Sequence, residues 1–182
     1  MHPRLAELTS FLTVQRKAAL AAASAVPRTR WAEAPAAGQW SVAQVLDHLH
    51  KVEAGTARLL AKRLTAARAA GHPAETQVSS VLHALDGRGL DDRSLPLDAP
   101  ELVWPDAAAD AETTLASLEQ SRAALLDAIS VGDGLALGSL RHTHLRFGEI
   151  DLYQWILFVG LHEKRHAGQL AELAGQLNTA TR

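Results

Sequence analysis

Residues 151–177, DLYQWILFVGLHEKRHAGQLAELAGQL, combine an apolar stripe with two histidines at helical spacing. Steps of three or four residues connect the members of this stripe, which are Trp155, Val159, His162, His166, Leu170, Leu173 and Leu177. Because an α-helix has about 3.6 residues per turn, such steps place all of these side chains on one face. The segment therefore predicts a long amphipathic helix whose buried face contains both histidines.

The histidines of this segment, His162 and His166, are four residues apart, so a helix stacks them one turn apart. Two imidazoles on a rigid backbone form a ready pair of metal ligands. The chain contains no cysteine, so further ligands to such a metal must be nitrogen or oxygen atoms. At least one more ligand has to come from elsewhere in the chain.

Three other segments show helical periodicity, and the predicted helices cover residues 3–25, 41–68, 108–130 and 151–177. Ser41 is followed three residues later by Gln44, which is the spacing of a capping box at a helix start. Asp151 and Gln154 repeat that spacing before the last helix. Four long helices predict an all-α fold, a four-helix bundle, formed by a single domain over residues 1–182.

Two long connections are expected, one between helices two and three and one between helices three and four. The first covers about residues 71–106 and leaves room for a short helix at 78–85. The second, residues 140–150, delivers His142 and His144 just ahead of the last helix. We expect a pocket at the bundle end that these connections reach, around Trp104 and His144.

The second predicted helix supplies a candidate third ligand, His48, which lies on or beside its inner stripe. His50 is about 200° away on the helical wheel at ~100° per residue, so we interpret it as a surface residue. Three histidine ligands leave a position open for water or substrate, as in catalytic metal sites. Neutral imidazoles suit Zn, Ni, Fe, Mn or Cu.

Other interpretations of these residues remain open. Buried histidines are often satisfied by hydrogen bonds alone, and His142 and His144 could be a fourth ligand, partners of a ligand, or solvent-exposed. Residues 162–166, HEKRH, also match the zinc-protease pattern H-E-x-x-H, in which Glu163 would polarise water. Only a short polar tail follows His166, whereas the third protease ligand usually lies downstream. We expect Glu163 to face outward.

The net charge of −2 and the absence of a long basic run disfavour nucleic-acid binding. The N-terminal residues 1–26 carry charges every few positions, unlike the apolar core of a signal peptide or a membrane helix. We therefore expect a cytoplasmic protein without membrane contacts.

Two segments carry a family resemblance, QWSVAQVLDHL at 39–49 and THLRFGEIDLYQWILFVGLHEKRHAGQL at 143–170. They resemble the signature regions of the DinB-like, damage-inducible family of four-helix bundles. The resemblance implies that His48, His162 and His166 bind one divalent metal, such as Zn, Ni, Fe or Mn. The chain departs from the family in having Gln44 where relatives often carry an acidic residue, and THLRFG where many have His-Pro before Phe-Gly.

Characterised relatives in that family include transferases and isomerases that use a low-molecular-weight thiol, mycothiol or bacillithiol. The resemblance therefore implies a metal-dependent thiol S-transferase that acts on a small thiol and an electrophile, and it makes a homodimer plausible. Catalytic residues beyond the metal ligands are not identified by the motifs. Two alternatives stay open: a hydrolase that uses water activated by the metal, and a non-catalytic metal-binding bundle of a stress response.

Overall fold

The computed structural model of the chain describes residues 1–90, 92–94 and 97–179. Four long helices dominate it, namely α1 (Pro3–Ala23), α2 (Val42–Ala69), α3 (Ala111–Val131) and α4 (Leu152–Thr179). Helix α1 packs along α4, α2 packs along α3, and α2 also contacts α4. The predicted all-α four-helix bundle is confirmed, and α2 and α4, which carry the three candidate ligands, are neighbours.

The helix starts follow from local hydrogen bonds. Ser41 Oγ accepts from the Gln44 N–H at 3.2 Å while Gln44 Oε1 accepts from the Ser41 N–H at 3.0 Å, so the predicted capping box is present. Asp151 and Gln154 form the same reciprocal pair at 2.9 Å. Helix α3 starts later than predicted because Asp110 accepts the N–H groups of the first turn and thereby caps it.

Buried leucines hold the helices together. Leu8 and Leu12 of α1 and Leu60 and Leu64 of α2 are fully buried, and each such side chain contributes about 1.5–3 kcal/mol of transfer free energy. Helices α1 and α4 approach closely at Gly160, where a Cβ atom would lie 2.5 Å from the ring of Phe11. This packing gives the candidate ligands a rigid support.

The short helix for which the sequence left room at 78–85 does not form, because residues 78–81 are irregular and residues 82–85 are a turn. One backbone hydrogen bond closes a turn within this segment, from the Ala84 N–H to Val81 O at 3.1 Å, and other backbone groups bond to side chains of the bundle. The Val81 N–H donates to Glu7 Oε1 at 2.6 Å, and Ala84 O accepts from Gln154 Nε2 at 2.8 Å. A single helical turn has little stability of its own, so these long-range hydrogen bonds decide its conformation.

The connection between α3 and α4 contains a β-hairpin, which the sequence analysis did not predict. Strands β1 (Arg141–His144) and β2 (Gly148–Asp151) pair antiparallel, with His144 opposite Gly148. Gly148 has a φ of +68°, a conformation that favours glycine, at the end of the turn. The hairpin leads directly into α4 and fixes the position of His144.

Three short 3₁₀ turns, Arg28–Arg30, Glu101–Val103 and Leu137–Ser139, complete the regular structure. The second of them lies in the connection between α2 and α3 and passes beside His48. Within the described part of the chain, no helix is both long enough and apolar enough to cross a membrane.

Candidate metal centre

Three imidazoles meet in the groove between α2 and α4. His162 Nε2 lies 3.1 Å from His48 Nε2 and 3.1 Å from His166 Nε2, and the ligand atoms of the three residues all lie within 4.8 Å of one another. Two nitrogens that are each about 2.0–2.1 Å from one metal ion are separated by about 2.8–3.4 Å at octahedral to tetrahedral angles. Both distances from His162 fit that range, so the group could hold a single divalent cation.

The outer nitrogens of two of these rings are anchored. His48 Nδ1 lies 2.7 Å from Val103 O, and His166 Nδ1 lies 2.7 Å from Gln169 Oε1. A carbonyl oxygen only accepts hydrogen bonds, so Nδ1 carries the proton in both neutral rings and Nε2 keeps its lone pair. Metal-binding histidines use the same arrangement, with the outer N–H donated to an oxygen that orients the ring.

The protein surroundings keep the three imidazoles neutral. Burial, followed by the nearby His48, lowers the pKa of His166 to about 3. Burial, followed by His166 and His48, lowers the pKa of His162 well below its ordinary value. Burial also lowers the pKa of His48. At neutral pH the lone pairs are therefore available to a cation without competition from protons.

A large pocket of about 1180 Å³ opens in front of the three imidazoles. One wall is aromatic: the His144 ring is 4.5 Å from that of Phe158, which lies 5.4 Å from that of His162. Trp104 reaches the pocket from the connection between α2 and α3. As expected, both Trp104 and His144 line the pocket. Its rim carries exposed apolar side chains, among them Leu102 and Leu145.

The wall formed by that connection is fastened to α2. Besides the contact of Val103 O with His48, Lys51 Nζ donates to Trp104 O at 2.8 Å, and the Asp106 N–H donates to Asp47 Oδ2 at 2.8 Å. The sequence analysis missed Val103, since it acts through its backbone carbonyl and its residue type carries no signal for that role. Only the fold brings it to a histidine 55 positions earlier.

Glu163 does not face outward, so that prediction is wrong. Its side chain is 2% exposed and accepts from Arg16 Nε at 2.5 Å and from Arg122 Nη2 at 2.8 Å. Both carboxylate oxygens are thus engaged by arginines inside the bundle and not directed at the pocket. The zinc-protease interpretation of HEKRH fails, because Glu163 is not placed to polarise water at the histidines.

Glu163 belongs to a buried Arg–Glu cluster made of Arg16, Glu53, Arg122 and Glu163, with one residue from each helix. Arg16 Nη2 lies 2.7 Å from Glu53 Oε2, and Arg122 Nε lies 2.6 Å from Glu53 Oε1. Each arginine therefore bridges both glutamates, and Ser121 Oγ donates a further hydrogen bond to Glu53 at 2.6 Å. The cluster is neutral overall and satisfies its own charges.

The other histidines singled out by sequence lie outside the group of three. His142 is exposed on β1, and its carbonyl accepts from Trp155 Nε1 at 3.2 Å. His144 Nδ1 accepts from the Arg146 N–H at 3.1 Å, and burial followed by Arg146 lowers its pKa to about 4. His50 is half-buried rather than on the open surface, and its Nδ1 has no hydrogen-bond partner among the described residues.

The chain is similar to known proteins over most of its length. The family model of the DinB superfamily matches residues 12–170. The uncharacterized protein YuaE of Bacillus subtilis (strain 168) is 28% identical over 153 residues, which cover 80% of this chain and 84% of that protein. No solved structure matches the chain significantly. The match of the family model, over all four helices, agrees with the bundle and its three histidines: the chain belongs to the DinB superfamily.

Proposed function

We propose that the protein is a metal-dependent thiol S-transferase. His48, His162 and His166 would hold one divalent cation of the Zn, Ni, Fe or Mn type, and a low-molecular-weight thiol, such as mycothiol or bacillithiol, would be joined to an electrophile. The observation that carries this proposal is the convergence of three Nε2 atoms, two of them oriented through Nδ1, at the base of a large pocket.

The cation, when bound, would supply Lewis acidity that lowers the pKa of a thiol and favours the thiolate at neutral pH. The three side chains contribute nitrogen ligands without adding negative charge, so they do not neutralise the cation. They also occupy only one side of the site, because all three come from α2 and α4 and the pocket lies opposite. That side is open to a small molecule.

In the proposed reaction, the sulfur of the thiol replaces the leaving group of the electrophile. The thiol loses its proton to solvent or buffer, and the sulfur donates an electron pair to an electrophilic carbon to form an S–C bond. The leaving group departs with the electron pair of the broken bond. The aromatic wall of Trp155, Phe158 and His144 offers apolar surface for the electrophile. The neutral His144 ring carries its proton on Nε2, because its Nδ1 accepts a hydrogen bond from the Arg146 N–H.

Elemental analysis tests the metal site. We expect near one divalent metal per chain in protein purified without a chelator or metal-binding tag, and little in His48→Ala, His162→Ala and His166→Ala. His142→Ala is the matched control, because it removes an exposed histidine outside the group and should keep its metal. Retention of parental metal content by any of the three variants would refute the assignment.

Cobalt substitution then tests the thiol chemistry. A thiol that binds the cation should produce a sulfur-to-cobalt absorption band in the near ultraviolet and change the visible spectrum, and the parent protein should turn over electrophiles only with a thiol present. Unchanged cobalt spectra at millimolar thiol, combined with thiol-independent hydrolysis of an ester or amide, would favour the hydrolase instead. No turnover under either condition would leave a non-catalytic metal-binding bundle.

A further inference from the structure

We infer that the pocket takes a small molecule that carries an anionic group of the carboxylate type, held by a basic wall made of Arg93, Arg146 and Arg165. The inference rests on the proposed function, because it names the substrate class of the same pocket. The anionic group could belong to the thiol or to the electrophile. The two sources share one recognition chemistry, and the experiment below separates them.

The charges that line the pocket are unbalanced. Among the described residues, four cationic side chains and two carboxylates line it; they are Lys51, Arg93, Arg146, Arg165, Asp98 and Glu172. Lys51 is paired with Asp47 at 2.9 Å and Arg93 with Glu172, which leaves Arg146 and Arg165 with the carboxylate of Asp98. The three histidines add no negative charge, and a divalent cation would add two positive charges. A ligand without negative groups would leave this excess in a partly buried space, where charges interact more strongly than in water.

The arginines of the basic wall lie close to the histidines and to one another. Arg165 is on α4 between His162 and His166, is 8% exposed, and donates to Asp92 O. Arg93 lies across α4 at Gly168, where a Cβ atom would be 2.7 Å from Arg93 Cδ, so its side chain packs directly on the helix backbone. Arg146 reaches the same pocket from the hairpin, so all three arginines line it together with the histidines.

Arg146 is the arginine of the basic wall whose guanidinium N–H groups are available to a ligand. Its guanidinium carbon stacks 5.9 Å from the centre of the Phe147 ring, and it forms no ion pair with any carboxylate that the structure describes. A guanidinium presents its N–H groups as a planar fork that matches a carboxylate. Arg146 is exposed on the hairpin turn and lines the pocket, so a bound anion can reach it.

A purely structural role explains part of the wall but not all of it. Arg165 holds Asp92, and Arg93 pairs with Glu172, so both fasten the connection between α2 and α3 onto α4. Arg146 fastens nothing comparable, because it projects from a turn in which its backbone N–H, not its guanidinium, bonds to His144 Nδ1. Substitution of Arg146 therefore tests anion recognition without loosening the pocket.

The first measurement compares the binding of succinate and of uncharged succinamide to the zinc-loaded protein. The fluorescence of the tryptophans in the pocket reports the binding. We expect succinate to bind at least about tenfold more tightly than succinamide at low ionic strength, and less tightly as salt screens the wall. Arg146→Gln should reduce that preference several-fold. The matched control, Lys62→Gln, removes an exposed positive charge of α2 outside the pocket and should leave it unchanged.

The cobalt-substituted protein identifies which substrate carries the anion. If it is the thiol, mercaptosuccinate should bind at least about tenfold more tightly than neutral thioglycerol, and Arg146→Gln should reduce the difference several-fold. If it is the electrophile, both thiols should bind alike while succinate binds beside thioglycerol without displacing it. Either pattern supports the inference and says where the charge lies.

Two results overturn it. Equal binding of succinate and succinamide, or equal effects of Arg146→Gln and Lys62→Gln, would show that the basic wall does not recognise anions, whatever the thiols do. Absence of any sulfur-to-cobalt band with either thiol would instead refute the proposed thiol chemistry. In that case selective succinate binding that depends on Arg146 would still establish the anion site, so the two failures are distinguishable.

Discussion

His162 and Glu163 are adjacent in sequence, yet they belong to two polar groups of opposite construction. Glu163 lies in the Arg–Glu cluster, where two glutamates and two arginines neutralise one another inside the bundle. His162 lies between two other imidazoles, whose Nε2 atoms are each 3.1 Å from its own Nε2, with no anion among them. The first group is complete within the chain, whereas the second lacks a positive partner.

The comparison separates structural from functional polar residues in this bundle. Burial removes the carboxylates of the Arg–Glu cluster from water, and it does so only in part for the histidines, which line the pocket. The free-energy penalty of burial is offset only when each polar atom finds a partner. The Arg–Glu cluster finds its partners on all four helices, so it fixes how the helices align. The three-histidine group would find its partner in a cation from solution, so its role depends on what binds.

The largest effect should come from breaking the Arg–Glu cluster. Glu163→Ala removes one partner and leaves Arg16 and Arg122 buried with one carboxylate between them, which should cost about 3–5 kcal/mol in the free energy of unfolding. Urea unfolding measures the loss. Glu119→Ala is the control on α3, since that carboxylate is exposed and its removal should change stability by less than about 0.5 kcal/mol.

Glu163→Gln sharpens the same comparison, because it keeps the shape of the side chain and removes its charge. We expect the variant to be less stable but to retain the metal and, below its unfolding temperature, the activity of the parent. Parental stability combined with lost activity would instead indicate that Glu163 acts as a general base.

We expect the three-histidine group to stabilise the fold only when a cation from solution binds to it. Zinc at about a thousandfold excess over its dissociation constant should raise the free energy of unfolding by about 4 kcal/mol in the parent. His162→Ala should lose that increment, while its metal-free form unfolds close to the metal-free parent. An equal stabilisation of parent and variant by zinc would show that the cation binds elsewhere.

A smaller effect is expected when a histidine loses the hydrogen-bond acceptor of its Nδ1–H but keeps Nε2 as a ligand atom. Gln169→Ala removes the acceptor of His166 Nδ1–H, and the loss of such partners typically lowers metal affinity about 10–100-fold. Gln176→Ala is the matched control, because it removes an exposed amide of α4 that also lines the pocket. Competition with a chromophoric chelator measures both affinities, and similar values for the two variants would contradict the orienting role of Gln169.

Much of the fold and the histidine group could be predicted from short-range pattern. Helical periodicity and the two capping boxes need only residues three or four positions apart, and so does the pair His162 and His166. His48 was recognisable because it lies on or beside the inner stripe of its own helix. Each of these signals is contained within a single element.

The features that could not be predicted depend on partners far along the chain. Glu163 is followed by two basic residues, which suggests an exposed face, but Arg16 lies 147 positions earlier and Arg122 lies 41 positions earlier. No periodicity marks a charge that is buried because another helix supplies its counter-charge. The four-residue strands of the hairpin and the carbonyl of Val103 are missed for the same reason: their partners are specified only by the fold.

An effect confined to acidic pH is expected at His144, which resembles the three-histidine group in being kept neutral by burial. Its folded-state pKa of about 4 lies below the ordinary value of 6.5, so the unfolded chain binds more protons between these values. The contribution of His144 to stability is therefore present above about pH 6.5 and is lost as the pH falls toward 4. His144→Phe, which keeps a ring between Phe147 and Phe158, should flatten this part of the pH dependence of the metal-free protein. Thermal unfolding from pH 4 to 7 measures this pH dependence. An unchanged slope would mean that the His144 ring is protonated as readily in the folded pocket as in the unfolded chain. That result would require a counter-charge beside the ring, which the Arg–Glu cluster provides for its own members and the aromatic wall does not.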